Sequence, residues 1–201
     1  MLNKPHVFTA ILLTTLIAAL VSLEARTVSK QNSEAFAAKV ARIQKQSAAS
    51  APGLRTPVSE DELNSWFAFQ GLTLLPTGLM QPQVSIVGGG KVMGQAILDL
   101  DAIGAKRKPS TGSFDPFSLL AGKVPVGVTG TLQTQNGMGR FDVESAQISG
   151  IPIPVTVLQE LLTSYSRTPE KPNGVRLDSP FPLPAKIKQI EVGQGQAVVV
   201  Q

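Results

Sequence analysis

"TLQTQNGMGRFDV", running from Thr131 to Val143, sets the folding pattern of the whole chain. Asn136-Gly137 stands at its centre, and both residues tolerate the positive φ that a type I′ turn requires. With the turn there, Leu132 pairs with Phe141 and Gly130 with Val143. Val126 and Val128 continue the apolar face, while Thr129 and Thr131 meet Asp142 and Glu144 on the other. One apolar face and one wet face describe an antiparallel hairpin. These glycines need no phosphate-binding role to account for them.

Working outward, the same grammar repeats. "QVSIVGGGKVMGQAILDLD" (Gln83–Asp101) reads as two strands joined through Gly88-Gly89-Gly90, with Ala96, Leu98 and Leu100 alternating against Asp99 and Asp101. "AKIKQIEVGQGQAVVVQ" (Ala185–Gln201) reads as a final hairpin, and "PFPLP" (Pro180–Pro184) must be extended, because alternating prolines cannot run as helix. Two helices interrupt the strands. In "PVSEDELNSWFAF" (Pro57–Phe69), Ser59 and Glu62 form a capping box, with Val58 and Leu63 placed for a hydrophobic staple. Glu60, Asp61 and Glu62 face the positive end of the helix dipole. This helix is expected over 60–70, with Leu63, Trp66 and Phe67 on one face and Gly71 as its stop. "SGIPIPVTVLQELLTSYS" (Ser149–Ser166) carries the second, over 155–166, with Pro154 in its first turn and Leu158, Leu161, Leu162 and Tyr165 as its apolar face. "DPFSLLAG" (Asp115–Gly122) looks like a short third helix, and "GAKRKPSTGS" (Gly104–Ser113) like an exposed loop. The expected fold is α+β: an antiparallel sheet of five to seven strands with two to three packed helices.

The N-terminal part is different in kind. "VFTAILLTTLIAALVSL" (Val7–Leu23) is uncharged and apolar, behind Lys4 and ahead of Arg26. That order is the order of an export signal. Residues 1–25 are read as a signal peptide cleaved after Ala25 or as a retained membrane anchor, and both alternatives stand. "SEAFAAKVARIQKQSAAS" (Ser33–Ser50) shows a narrow stripe of Phe36, Val40 and Ile43 and then dissolves into small residues. Residues 26–55 are therefore read as a helical or flexible stalk, chiefly a linker, ahead of an α+β domain at 56–201.

Charge and composition exclude several function classes. The net charge of +4 comes from residues 1–50, where six basic residues meet two acidic ones; beyond them twelve bases balance twelve acids. A nucleic-acid footprint needs a basic face on the folded domain, and none is expected. There is no cysteine, and the one histidine, His6, lies in the export segment. Thiolate chemistry, zinc-thiolate sites, a Ser-His-Asp triad and a histidine base are thereby removed from the domain. "SIVGGGKVMG" fails the phosphate-loop pattern at Ser85 and Val92 and the dinucleotide pattern at Met93. "DLDAIG" (Asp99–Gly104) starts like a calcium loop but fails at Ile103 and Ser110. Asp142 and Glu144 remain as carboxylates on an exposed hairpin. The chain is read as a non-enzyme without cofactor or metal.

The order of a capped helix "SEDELNSWF", antiparallel strands, "GIPIP" and a second helix, behind an export segment, resembles the small bacterial envelope proteins of the tubular lipid-binding type. The similarity spans about residues 57–201. It implies a strongly curved sheet wrapped around a helix, with an apolar groove for lipid tails. The expected contacts are Leu63, Trp66, Phe67, Leu98, Leu100, Phe117, Leu132, Phe141, Leu158, Leu161 and Leu162. The expected function is that of an exported envelope protein, periplasmic, anchored to the inner membrane or secreted, which holds a lipid or another apolar ligand. The alternative is a membrane-anchored structural module with a filled core and an envelope protein as its partner. Residues 7–23, if uncleaved, make the membrane itself a partner.

Overall fold

The computed structural model describes residues 28–48, 53–104, 122–165 and 172–201. The apolar run Val7–Leu23, the short helix expected after Asp115, Phe117 and most of the loop 104–113 lie outside the described residues. Among the described residues no helix is long and apolar enough to cross a membrane.

The architecture is α+β with two antiparallel sheets. In chain order the elements are α1 (Lys30–Ala48), β1 (Arg55–Ser59), α2 (Glu60–Phe69), a 3-10 turn (Gly71–Leu74), β2 (Leu79–Gly88), β3 (Lys91–Asp99), α3 (Leu100–Gly104), β4 (Lys123–Gln135), β5 (Met138–Ile148), β6 (Ile151–Ile153), α4 (Val155–Tyr165), β7 (Phe181–Pro182), β8 (Gln189–Val192) and β9 (Gln196–Val200). The large sheet has the order β2-β3-β4-β5-β6, with β7 also on β5; the small one has the order β1-β9-β8. The nine described strands and two sheets exceed the single sheet of five to seven expected from sequence. The excess is β1, β6 and β7, which are too short or too rich in proline to show a period of two.

The central hairpin forms as its turn dictates. Asn136 and Gly137 have φ of 51° and 79°, and Leu132 pairs with Phe141 and Gly130 with Val143. One detail differs. A bulge shifts the register between Thr129 and Gly130, so Thr129 opposes Ser145 rather than Glu144. Glu144 instead accepts a hydrogen bond from the Thr131 hydroxyl at 2.6 Å. The Gly88–Gly90 turn and the final hairpin also form where expected.

Strand β3 ends earlier than its alternation implies. Leu100 opens α3, because the Asp99 carboxylate accepts from the Ala102 N–H at 2.9 Å and caps the turn. Asp101 is likewise occupied, accepting from Gly122 N at 3.1 Å. Upstream of α4, Ile151–Ile153 pairs with β5 as a strand, and the Pro154 carbonyl then accepts from Val157 and Leu158 to start the helix.

Helix α2 starts with the expected reciprocal cap. Ser59 Oγ accepts from Glu62 N at 3.1 Å, and Glu62 Oε2 accepts from Ser59 N at 2.9 Å. Replacing Ser59 by alanine is expected to cost about 1 kcal/mol, read as a lower denaturation midpoint; an unchanged midpoint would show that Glu62 alone caps the helix. Gly71 is not a left-handed stop. The helix closes at Gln70, whose N–H donates to Trp66 O, and Gly71 opens the 3-10 turn. A side chain at 71 would sit 2.7 Å from the Trp66 ring, so glycine is there for close approach.

The linker expected at Ser33–Ser50 is instead a helix packed on the domain. Phe36 meets Trp66 with ring centroids 5.5 Å apart, Ile43 is buried, and Lys39 pairs with Glu62 at 2.6 Å. Ser65 Oγ accepts from Ser29 N, and Ser33 Oγ accepts from the Gln70 amide, with both serines fully buried. The far end of the chain closes the same region: the Gln201 side chain donates to the Ile43 and Ala185 carbonyls at 2.9 and 2.7 Å.

Candidate site on the apolar sheet face

The strand pairings place apolar residues of five strands on one face of the large sheet. Val84 and Ile86 of β2 align with Gly94 and Val92 of β3; Ala96 and Leu98 align with Val126 and Val124 of β4. Leu132 aligns with Phe141 of β5, Val128 with Ala146, and Ala146 with Ile153 of β6. The opposite face carries Gln83, Gln95, Thr131, Arg140, Asp142 and Gln147. Only part of the apolar face is sealed. Ile86 and Ala146 are 5% exposed, whereas Val92, Ala96, Leu98, Val126, Val128, Leu132 and Phe141 are half-buried.

Two glycines on this face report how it is filled. A side-chain carbon added to Gly130 would sit 2.5 Å from the Asp142 carbonyl oxygen and 2.7 Å from the Phe141 ring. One added to Gly94, at mid-sheet, meets nothing among the described residues within 4 Å. A packed core leaves few such spaces. The hairpin end is closed by the small sheet: the Thr134 hydroxyl bridges the N–H and C=O of Ile190 at 2.8 and 2.9 Å, and Gly137 N donates to Lys188 O.

The helices flank this face at different strands. Helix α2 packs on β2, the first strand of the sheet, and α4 packs on β5. Three strand spacings separate β2 from β5, about 14 Å. Trp66 and Phe67 thus belong to the helix at β2, and Leu158 and Leu162 to the helix at β5. Trp66 is engaged with Phe36 and Phe67, with the latter ring 5.5 Å away. Of the expected contacts, Leu98, Leu132 and Phe141 lie on the apolar face. Leu63 is half-buried on α2, Leu158 and Leu162 are half-buried on α4, and Leu161 belongs to α4. Leu100 has left the sheet for α3, and Phe117 lies outside the described residues.

Sequence reasoning missed the polar residues that hold α2 in place. The Asn64 side chain donates to Val84 O at 2.8 Å and accepts from Val84 N at 2.7 Å. Glu60 accepts from Ile86 N at 2.7 Å, and Gly195 N donates to Ile86 O at 2.7 Å. Pro82 has no N–H to offer. The outward backbone groups of Val84 and Ile86, on an edge strand that is ordinarily a template for aggregation, are thus occupied. The only sequence signal was an asparagine and a glutamate inside an amphipathic helix.

Two depressions adjoin β2. One, of about 430 Å³, is lined by Val28, Phe67, Ala68, Leu72 and Pro82 with Asn64, Gln81 and Gln83. The other, of about 270 Å³, lies on the polar face among Gln83, Gln95, Ile97, Pro125 and Gln147.

Among the described residues no three His, Cys, Asp or Glu side chains gather as a metal site. Glu144 accepts from Lys91 Nζ at 2.7 Å, and Asp142 from Arg140 at 2.6 Å. The Lys91 ammonium, helped by the Thr131 hydroxyl, holds the Glu144 carboxyl below the usual carboxylate range. Arg55 does the same to Glu191, and Arg176 to Asp178. Glu144, Glu191 and Asp178 stay ionised at neutral pH and are ill suited to donate a proton. Their folded-state values are lowered, so their contribution is present at neutral pH and is lost as pH falls below about 4. The thermal midpoint is expected to fall only modestly in acid, since the pairs are exposed, and Lys91→Met should flatten that fall. An unchanged acid limb would show that the Lys91–Glu144 pair contributes nothing.

No protein-family model matches the sequence, and no curated protein matches it. Among solved structures, a lipopolysaccharide binding protein is similar to it at 16% identity and a TM-score of 0.23. The match covers 74% of this chain and 40% of that one, so the chain spans well under half of its length. A likeness of that size carries no argument about ligand or activity.

Proposed function

We propose that this chain is a non-enzymatic protein of the bacterial envelope that acts outside the cytoplasm and holds a lipid tail or another apolar ligand against the apolar face of its large sheet. The observation that carries this reading is the space above Gly94, set in a continuous apolar face that the described helices flank at β2 and β5. An acyl chain along Val92, Ala96 and Val126 would bury apolar surface at about 25 cal/mol per Å² before ordering costs. The order of charges and apolar residues in Lys4–Arg26 supports export.

Filling the space tests the reading. Gly94→Phe places a ring where an acyl chain would lie, at a position whose φ suits any residue. Wild-type protein purified from envelope extract is expected to carry lipid in native mass spectrometry and to bind a fluorescent fatty acid. The Gly94→Phe protein, folded by circular dichroism, is expected to do neither. Lipid-free wild-type protein that ignores the probe would leave a structural module with a protein partner as the better account.

A further inference from the structure

We infer that the end of α2 and the 3-10 turn after it form a docking surface for the phospholipid bilayer, so that the domain sits against the membrane rather than swinging free of it. The inference rests on the reading of Val7–Leu23 as a membrane-targeting segment and is independent of the ligand on the sheet face.

Phe69, Leu72 and Leu74 are 51%, 54% and 72% exposed within six consecutive residues, and Val28, which lines the same depression as Leu72, is 49% exposed. A cluster of large exposed apolar side chains on one turn marks an interaction surface more often than chance exposure does. Its position names the occupant. Val28 follows the last residue of the apolar run, Leu23, by five positions, a reach of at most about 18 Å even when fully extended. Nor is Val28 free to move away from α2: Ser29 N donates to Ser65 Oγ, and Ser33 Oγ receives the Gln70 amide. Gln70 sits between Phe69 and the turn, so the clamp ties the exit of the apolar run to the exposed patch. Lys30, two residues beyond Val28, is exposed and offers a cation to anionic headgroups. A bilayer that holds Val7–Leu23 therefore lies within reach of Phe69, Leu72 and Leu74, and an interfacial position is where partly exposed apolar side chains on a helix end gain most.

The absence of cysteine makes the test clean. The full chain carrying Leu74→Cys is labelled with an environment-sensitive fluorophore and reconstituted into vesicles of phosphatidylcholine and phosphatidylglycerol. A second full chain carries Met138→Cys, which is also exposed but lies at the turn of the central hairpin. The label at 74 is expected to shift to the blue and to be quenched by lipids brominated in their tails, while the label at 138 reports water. Equal, aqueous signals from both sites in protein that floats with the vesicles would overturn the docking and leave the membrane segment standing. Protein that fails to float would overturn both. Loss of lipid binding in the Gly94→Phe chain does not bear on either outcome.

Discussion

Gly130→Ala is expected to destabilise the protein by about 1–3 kcal/mol through overpacking, whereas Gly94→Ala, on the same sheet face one strand away, is expected to stabilise it by about 0.5–1 kcal/mol. Neither glycine has positive φ, so backbone strain does not enter. What differs is the space. At Gly130 the new methyl meets the Asp142 carbonyl oxygen at 2.5 Å and the Phe141 ring at 2.7 Å, and a strand carbonyl cannot retreat without breaking its ladder. At Gly94 the methyl meets nothing among the described residues within 4 Å and removes the excess unfolded-state freedom of glycine. Denaturant midpoints of the two variants measure the contrast. Destabilisation by Gly94→Ala on the scale of Gly130→Ala would mean that the mid-sheet space is filled, and the apolar-ligand reading would lose its main support.

Asn64→Ala is expected to cost about 2–4 kcal/mol, because it leaves both the N–H and the C=O of Val84 without partners under α2. Asn64 is 7% exposed, so water has little access to replace it. A second consequence is association. With Val84 unpaired, β2 is open at that one edge position while Ile86 stays bonded, and self-association on a sizing column should rise with concentration. Asn64→Asp separates the two bonds. It keeps an acceptor for Val84 N–H but sets a carboxylate against Val84 O, and it is expected to be no better than alanine. Wild-type stability in Asn64→Ala would show that α2 is held by its apolar contacts alone.

How much of this was legible before folding depends on the range of the interaction. The Asn136-Gly137 turn, the Gly88–Gly90 turn and the Ser59–Glu62 cap involve residues at most a few positions apart, and the sequence alone determined them. Hairpin pairing propagates outward from such turns, so Leu132–Phe141 and Gly130–Val143 followed without tertiary information. So did the lack of histidine and cysteine chemistry in the domain, which is a matter of composition. The stripe of Phe36, Val40 and Ile43 was visible too, but its partner was not. Trp66 lies thirty residues away, and nothing in either segment alone distinguishes a packed helix from a frayed one.

Tertiary structure decided the rest. It ended β3 at Asp99, where a carboxylate caps a turn that the alternation of Leu98 and Leu100 had concealed. It added the bulge that withdraws Glu144 from Thr129, a choice made by the twist of paired strands and not by either strand's own pattern. It split the strands into two sheets and set α2 and α4 at β2 and β5, positions that an apolar pattern alone does not specify. A hydrophobic period records which side of an element avoids water. It carries no record of which other side will cover it, because burial is nondirectional and any apolar face satisfies it. The space above Gly94 is the extreme case: no described residue comes within 4 Å of it, and only the assembled fold decides such a distance.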